Sequence, residues 1–344
     1  MNGLATSYLG LDLRSPLVAS AGPLTRQPES ALRLQKSGAA AVVLPSLFEE
    51  EVVHEEVELD RALEQGAESF AEALDYHPEV RDVESVADRY LATIVEMKKQ
   101  LDVPVIASLN ATSSGGWIRF ARSIEEAGAD ALELNLYRIA ADAARTGAAM
   151  EASDLGVIRE VGAATGLPVA VKISPYYSAL ASFAVAAVEA GARGLVLFNR
   201  FYQPDLDADS RQVLPRLELS RPWELRLPLR WIAILSPQVD GRASLAASSG
   251  VHSGIDAAKA LLVGADVAMM TSALLQNGRE HVATVEKELV AWMEMNGYDS
   301  VAQLRGSVSY AASDDPSAFE RANYLKTLRS WNAPLDLKSK PQPD

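Results

Sequence analysis

The sequence predicts an α/β protein, a single (β/α)8 barrel with long loops at the C-terminal face of its strands. Eight short apolar runs are spread along the 344 residues, and amphipathic helical segments separate most of them. Runs that are apolar on both faces are typical of parallel strands, because helices cover both sides of a parallel sheet. Eight strand–helix units favour a closed barrel over the alternative, an open doubly wound sheet.

Short motifs mark the start of most of the predicted strands. A Gly-Ala pair precedes four strands and a Pro precedes two others; a glycine is the residue type expected just past a helix C-terminus. Segments such as Trp117–Ala127 and Ser178–Ala190 have the periodicity of the helices between them. In chain order the eight runs are Leu17–Ala21, Ala41–Leu44, Val105–Leu109, Ala131–Leu136, Val169–Ile173, Leu195–Phe198, Leu245–Ala247 and Val267–Met270.

We predict one domain over residues 1–331, followed by a disordered tail over 332–344. Three connections, at about 47–86, 137–150 and 201–227, are too long to be simple links and follow the second, fourth and sixth strands. Barrel enzymes place their active sites at this end of the strands, so these insertions are candidate substrate loops. Residues Ser317–Trp331 have a helical pattern.

Composition restricts the function. Hydrophobic residues make up 48% and charged residues 23%, the balance of a soluble globular protein. There is no cysteine, which excludes disulfides, thiolate metal sites and a cysteine nucleophile, and HEEVE around His54 lacks the second histidine of a zinc helix. A net charge of -14 argues against nucleic acid as a partner. Without a signal peptide or an apolar run long enough to span a membrane, a cytoplasmic protein is expected.

The seventh and eighth strands end in small polar residues that are suited to bind a phosphate. Ser249 and Gly250 follow the seventh strand, and Thr271 and Ser272 follow the eighth. Backbone amides exposed in such turns, near a helix N-terminus, favour a dianion, and barrels hold phosphate after these two strands. Two ordinary turns are the alternative.

Three polar residues lie in or at the ends of apolar strands. Lys172 interrupts VAVKIS, where a lysine is costly unless an anion meets it, either a ligand or a carboxylate such as Glu133. Asn135 and Asn199 end the fourth and sixth strands, where they are either structural amides or ligands of a polar heterocycle. Tyr137, Arg138 and Arg200 follow directly and are candidate substrate-loop residues or ordinary surface residues.

With the strands placed, the chain resembles the dihydroorotate dehydrogenase family, flavoproteins built on an FMN-binding barrel. The matching segments are TSYLGLDLRSPLVASAG at the start, VKISPYY, the Asn after the sixth strand, and SSGVHSGIDAAKALLVGADVAMMTSAL. The resemblance implies noncovalent FMN and a flavin-binding role for Lys172. It also implies cofactor contacts from Ser20, Ala21, Gly22, Ser46, Asn135, Asn199, Ser249, Gly250, Thr271 and Ser272.

The chain departs from the family pattern where the family binds its pyrimidine. The family's N-L-S-C-P-N becomes NLYRIA, so Arg138 stands in place of the catalytic cysteine. The T-K-S after the second strand becomes LPS, with Pro45 in place of the lysine, and the N-x-M-G-L loop has no counterpart. An arginine stays protonated and cannot act as the base. Tyr137 is an alternative base only if its pKa is lowered.

The resemblance therefore implies an FMN-dependent oxidoreductase acting on a CH–CH group, with Lys172, Tyr137 and Arg138 as candidate catalytic residues. The family reaction converts dihydroorotate to orotate in pyrimidine biosynthesis. Two alternatives remain. One is an oxidoreductase for another, anionic substrate held by Arg138 or Arg200, with Asn135 and Asn199 as further substrate contacts. The other is a flavin-bearing accessory protein that transfers electrons without turnover. The expected partners are a small molecule and either a second copy of the chain or a redox partner protein.

Overall fold

A computed structural model describes residues 3–55, 57, 85–110, 117–200 and 203–320. Much of the predicted insertion at 47–86 lies outside the described residues, as do residues 201–202 of the third insertion. The predicted tail at 332–344 and most of the predicted helix Ser317–Trp331 lie outside them too; the part that is described falls in a 3-10 turn, Pro316–Phe319.

Eight parallel strands close into the predicted barrel. In spatial order, β3 and β4 are followed by β6, β7, β8, β9, β12 and β13, and β13 returns to pair with β3. The strands in the described residues are β1 (Thr6–Tyr8), β2 (Leu11–Leu13), β3 (Leu17–Ala19), β4 (Ala41–Val43), β5 (Leu47–Phe48), β6 (Val105–Asn110), β7 (Ala131–Asn135), β8 (Val169–Ile173), β9 (Gly194–Leu197), β10 (Asp205–Asp207), β11 (Gln212–Leu214), β12 (Ser244–Ser248) and β13 (Val267–Met270). The fold prediction is confirmed, and two of the predicted strands match to the residue.

Helices cover the outside of the barrel. Two predicted helices are slightly shorter than expected, Trp117–Glu126 and Leu180–Glu189. The described helices are α1 (Pro28–Lys36), α2 (Val86–Gln100), α3 (Trp117–Glu126), α4 (Gly147–Ala164), α5 (Leu180–Glu189), α6 (Arg226–Val239), α7 (Gly254–Leu262), α8 (Ser272–Asn277), α9 (His281–Met295) and α10 (Val301–Leu304), with residues 49–55 also helical. Among the described residues, none of these helices could cross a membrane.

The Gly-Ala motifs have a conformational cause. In each of the four, the glycine ends a helix with a positive φ, for example +116° at Gly38 and +113° at Gly264. Other residues adopt this left-handed conformation at a cost, so glycine lets the chain turn sharply from helix to strand. The alanine that follows is buried just before the strand begins, as Ala39 and Ala265 are.

The apolar core has two parts. The larger part lies between the strands and the helices. The smaller part fills the inside of the barrel, where Tyr8 from the antiparallel pair β1–β2 packs with inward residues such as Val18, Ala131 and Ala170. Since side chains alternate along a strand, inward residues near the C-terminal ends of β7 and β8 face the mouth of the barrel.

Candidate active site

A cavity of about 360 Å³ opens at the C-terminal mouth of the barrel. It contains the residues that the sequence predicts for cofactor binding, which come from the ends of β3, β4, β7, β8, β9, β12 and β13. They are Ser20, Ala21, Gly22, Ser46, Asn135, Lys172, Asn199, Ser249, Gly250, Thr271 and Ser272. Arg200 lines the same cavity, so this structure brings residues far apart in sequence to one place.

One wall forms where the barrel closes between β3 and β13. Ser20 donates its backbone N–H to the carbonyl of Met270 at 3.0 Å, and the Thr271 hydroxyl donates to the carbonyl of Ala21 at 3.3 Å. A Cβ on Gly22 would lie 2.6 Å from Cγ2 of Thr271. The small Ser20–Gly22 segment therefore lets the backbone lie flat against the eighth barrel strand and leaves the mouth open.

The predicted phosphate end is built differently from the expectation at one point. The start of α7 is already capped: Asp256 accepts hydrogen bonds from the amides of His252 and Ser253, and Glu288 accepts one from the amide of Gly254 at 2.8 Å. These groups leave little room for an anion at the start of α7. The first turn of α8 has no side-chain cap and borders the cavity at Ser272.

The predicted insertion at 201–227 completes this end of the cavity, through residues that the sequence prediction did not name. The amide of Ser220 donates to Oγ of Ser272 at 2.9 Å, and the amide of Gly250 donates to Oγ of Ser220 at 3.4 Å. Ser249 and Gly250 both have positive φ values, +76° and +80°. Segment Leu217–Ser220 lines the cavity above them. Nothing local in the sequence identifies Ser220, because its partners lie in distant turns.

A chain of polar side chains fixes the amides at the mouth. Asn199 donates its side-chain N–H to Oδ1 of Asn135, and Nδ2 of Asn135 donates to Oγ of Ser46 at 3.3 Å. Ser46 and Ser108 share a hydrogen bond of 2.8 Å. Because each amide is held by a neighbour, their orientation is set before a ligand arrives.

A second residue that the sequence prediction missed lies in the same ring. Asn110 ends β6 directly beside Asn135 in the sheet register, is buried, and has an Oδ1 with no hydrogen-bond partner among the described residues. Its position at the end of an apolar strand is the same signal that identified Asn135 and Asn199. The sequence therefore carries the same signal for Asn110 as for these two residues, although Asn110 is not among the residues that line the cavity.

The position of Lys172 fits both roles that the sequence left open, as the ion-pair partner of Glu133 and as a residue that faces a ligand. Its Nζ lies 3.3 Å from Oε1 of Glu133, and it also lines the cavity. Glu133 is 1% exposed and Lys172 is 8% exposed. The lysine thus has a carboxylate partner inside the barrel and still contributes to the surface that a ligand would contact.

Arg138 lies apart from this cavity. It lines a separate cavity of about 430 Å³ between the loops after β7 and β8. Its guanidinium lies 3.3 Å from Oδ1 of Asp154 on α4 and donates to Ser153 at 3.2 Å. Burial raises the pKa of Asp154, while Arg138 and a hydrogen bond from Tyr177 oppose that effect. Tyr137 is not among the residues that line either cavity. Catalytic roles for Arg138 and Tyr137 remain predictions that this geometry does not favour.

We expect Arg138→Ala to destabilise the protein, because it removes the cationic partner of a buried carboxylate. Breaking such a pair costs on the order of 3 kcal/mol, measurable by urea unfolding. Cofactor content should be unchanged, since Arg138 does not line the mouth. A variant of normal stability that no longer reacts with substrate would contradict this prediction and would support a role for Arg138 in the reaction.

Arg200 is the arginine that reaches the mouth. It lines the central cavity and an adjoining cavity of about 560 Å³. The lining residues that the two cavities share are Asn199, Arg200, Leu217, Glu218 and Ser249. Its Nη2 lies 3.7 Å from Glu224, and its Nη1 is buried without a hydrogen-bond partner among the described residues. The guanidinium can therefore donate further bonds to a ligand at the boundary of the two cavities.

Comparison with known proteins agrees with this geometry. The family model for dihydroorotate dehydrogenase matches residues 82–293. The chain belongs to the dihydroorotate dehydrogenase family. The family predicted from the sequence is confirmed, and the protein is an oxidoreductase of the dihydroorotate dehydrogenase type.

Its similar relatives include more than one activity. The catalytic subunit of dihydroorotate dehydrogenase B (NAD(+)) from Methanothermobacter thermautotrophicus is 26% identical, over 88% of this chain and 97% of the relative. Dihydroorotate dehydrogenase A (fumarate) from Lacticaseibacillus paracasei is 30% identical, over 56% of this chain and 67% of the relative. The NAD-dependent dihydropyrimidine dehydrogenase subunit PreA from Escherichia coli is 24% identical, over 63% of this chain and 56% of the relative.

Proposed function

We propose that the protein binds FMN noncovalently at the barrel mouth and oxidises or reduces a CH–CH group of a small substrate other than dihydroorotate. Bound FMN would supply the hydride acceptor or donor. The observation that carries the proposal is that every residue predicted for the cofactor lines one cavity. This cavity joins small residues, uncapped amides and a lysine, which fit a phosphate at one end and a polar ring at the other.

Each part of the chain would have a distinct task. The turn at Ser249 and Gly250, together with the first turn of α8, would hold the phosphate. Asn135 and Asn199 would orient the ring through their shared hydrogen bonds. Lys172 would stabilise negative charge on the ring when it is reduced, because a cation in a dry site interacts strongly with a neighbouring anion.

The substrate would lie beside Arg200. A guanidinium offers planar, bidentate donors, which suit a carboxylate or phosphate. Arg200 has a buried nitrogen with no hydrogen-bond partner among the residues that the structure describes, whereas Arg138 is paired with Asp154. An anionic substrate is therefore expected at the junction of the two mouth cavities. A cytoplasmic location stays part of the proposal, whereas pyrimidine biosynthesis, the family pathway, would require dihydroorotate as the substrate.

An accessory electron-transfer role is the second candidate, and one observation favours it. Apolar side chains are exposed around the mouth, among them Tyr176, Leu217 and Trp223, which are 69%, 77% and 64% exposed. Such a surface suits a redox partner protein or a second copy of the chain. The accessory role differs from the oxidoreductase proposal because it requires no substrate at Arg200.

The purified protein should be yellow, and heat denaturation should release FMN in an amount close to one per chain. Anaerobic addition of candidate anionic substrates should bleach the flavin, and Arg200→Gln should weaken that response at unchanged FMN content. A colourless protein that takes up no FMN on reconstitution would refute the cofactor. A yellow protein that only a partner protein or an artificial donor reduces would favour the accessory role.

A further inference from the structure

Glu133 and Lys172 form an ion pair inside the barrel at the floor of the mouth cavity. Ala131 and Ala170 belong to the barrel interior, so alternation directs Glu133 on β7 and Lys172 on β8 inward as well. In the sheet register, Lys172 stands beside Asn135, one inward position nearer the mouth than Glu133. The lysine Nζ then lies 3.3 Å from Oε1 of the carboxylate.

The carboxylate depends on this lysine for its charge compensation. Glu133 is 1% exposed, and Lys172 is its single ion-pair partner in the part of the chain that the structure describes. Its Oε2 has no hydrogen-bond partner there either. An isolated buried charge is costly, so the two charges must be considered together.

The charge of Glu133 also acts on other groups around the barrel interior. Burial raises the pKa of Tyr8, and the negative charge of Glu133 adds to that effect. Burial and the same carboxylate raise the pKa of Tyr90, against a hydrogen bond with Ser108 that lowers it. A charge that reaches these two phenols also reaches a ring seated above Lys172, because the barrel interior screens it poorly.

We propose that Glu133 is a positioning residue for the flavin. It holds the Lys172 ammonium at the cavity floor and cancels its charge, so that the neutral pair sets the midpoint potential of the bound ring. This rests on the proposed function, since it requires flavin in the cavity. With the lysine alone, the floor would be cationic and the reduced ring, which carries more negative charge than the oxidised ring, would be more stable.

Three variants test the pair, each as the FMN-loaded full-length protein. Glu133→Gln keeps an oxygen that can accept from Lys172 and removes the charge, so the potential should become more positive. A tenfold change in the two-electron equilibrium corresponds to about 30 mV, and we expect at least that shift. Lys172→Met should shift the potential in the opposite direction. The double variant Glu133→Gln/Lys172→Met is neutral again and should return near the wild-type potential.

Glu286→Gln is the matched control. It removes a carboxylate of another ion pair, with Arg14 on the outside of the barrel, and should leave the potential unchanged. Each single variant leaves one buried charge without its partner and could fail to fold. The double variant has no such charge, so it still tests the inference in that case. An unshifted or more negative potential for Glu133→Gln would overturn the inference about Glu133 but not the proposed function. A double variant with the potential of Lys172→Met would do the same. A wild-type protein that binds no FMN would overturn the proposed function and the inference together.

Discussion

Dihydroorotate should reduce the bound flavin slowly, at a rate about 10²- to 10⁴-fold lower than that expected with a positioned general base. Oxidation of dihydroorotate requires a base that removes a proton from one carbon while hydride leaves its neighbour. The chain contains no cysteine, and Arg138 occupies the corresponding place in NLYRIA. In the structure Arg138 is paired with Asp154, outside the mouth cavity.

The groups that line the cavity also lack an obvious replacement base. Among the described lining residues, the titratable side chains are Lys172, Arg200 and Glu218. Glu218 is the one carboxylate of the three, but its side chain is 61% exposed and lies near Arg216. Pro45 lines the cavity where the resembling family has a lysine. Proton removal from dihydroorotate should therefore be slower, and binding of dihydroorotate should be weaker.

Anaerobic stopped-flow mixing of the flavin-loaded protein with dihydroorotate measures this directly. Reduction by dithionite in the same apparatus is the control that the flavin itself can be reduced. Bleaching by dihydroorotate at many turnovers per second would contradict the prediction. If Tyr137→Phe or Glu218→Gln then abolished that bleaching, the replacement base would be identified as well.

The strands were predictable because their signal is local. A run such as Val267–Met270 is apolar on both faces, as expected of a strand covered on both sides, and the glycines at Gly38 and Gly264 mark where helices stop. The polar residues at strand ends were predictable for the same reason, because closure of a parallel barrel brings all C-terminal ends to one mouth.

The details that the sequence alone could not predict depend on contacts between distant segments. The Arg138 side chain points toward Asp154, a buried carboxylate on the next helix. No sequence pattern near Arg138 predicts this pairing. The cap on α7 depends on Glu288 from α9. Segment Leu217–Ser220 reaches the mouth only because Ser220 bonds to Gly250 and Ser272. Such pairings follow from the tertiary arrangement, not from propensity.

Gly250→Ala should weaken FMN binding by roughly 10- to 100-fold, the consequence of about 1–3 kcal/mol of overpacking. A Cβ at this position would collide with the backbone N of Leu225 and lie 2.9 Å from its Cβ. The collision would displace the 3-10 turn Pro222–Leu225 and the Ser220 loop before it. Ser220 would then lose its bonds to Gly250 and Ser272, and the phosphate end of the cavity would open.

Gly241→Ala is the matched control for the backbone conformation. Gly241 also has a positive φ, +68°, but a Cβ there would meet nothing within 4 Å, and it lies before β12 at the opposite end of the barrel. Both alanines carry the left-handed strain, of about 1 kcal/mol, so both should lower thermal stability. Only Gly250→Ala should raise the FMN dissociation constant in a fluorescence titration. Equal FMN affinity in the two variants would show that packing of Gly250 against Leu225 does not shape the cofactor site.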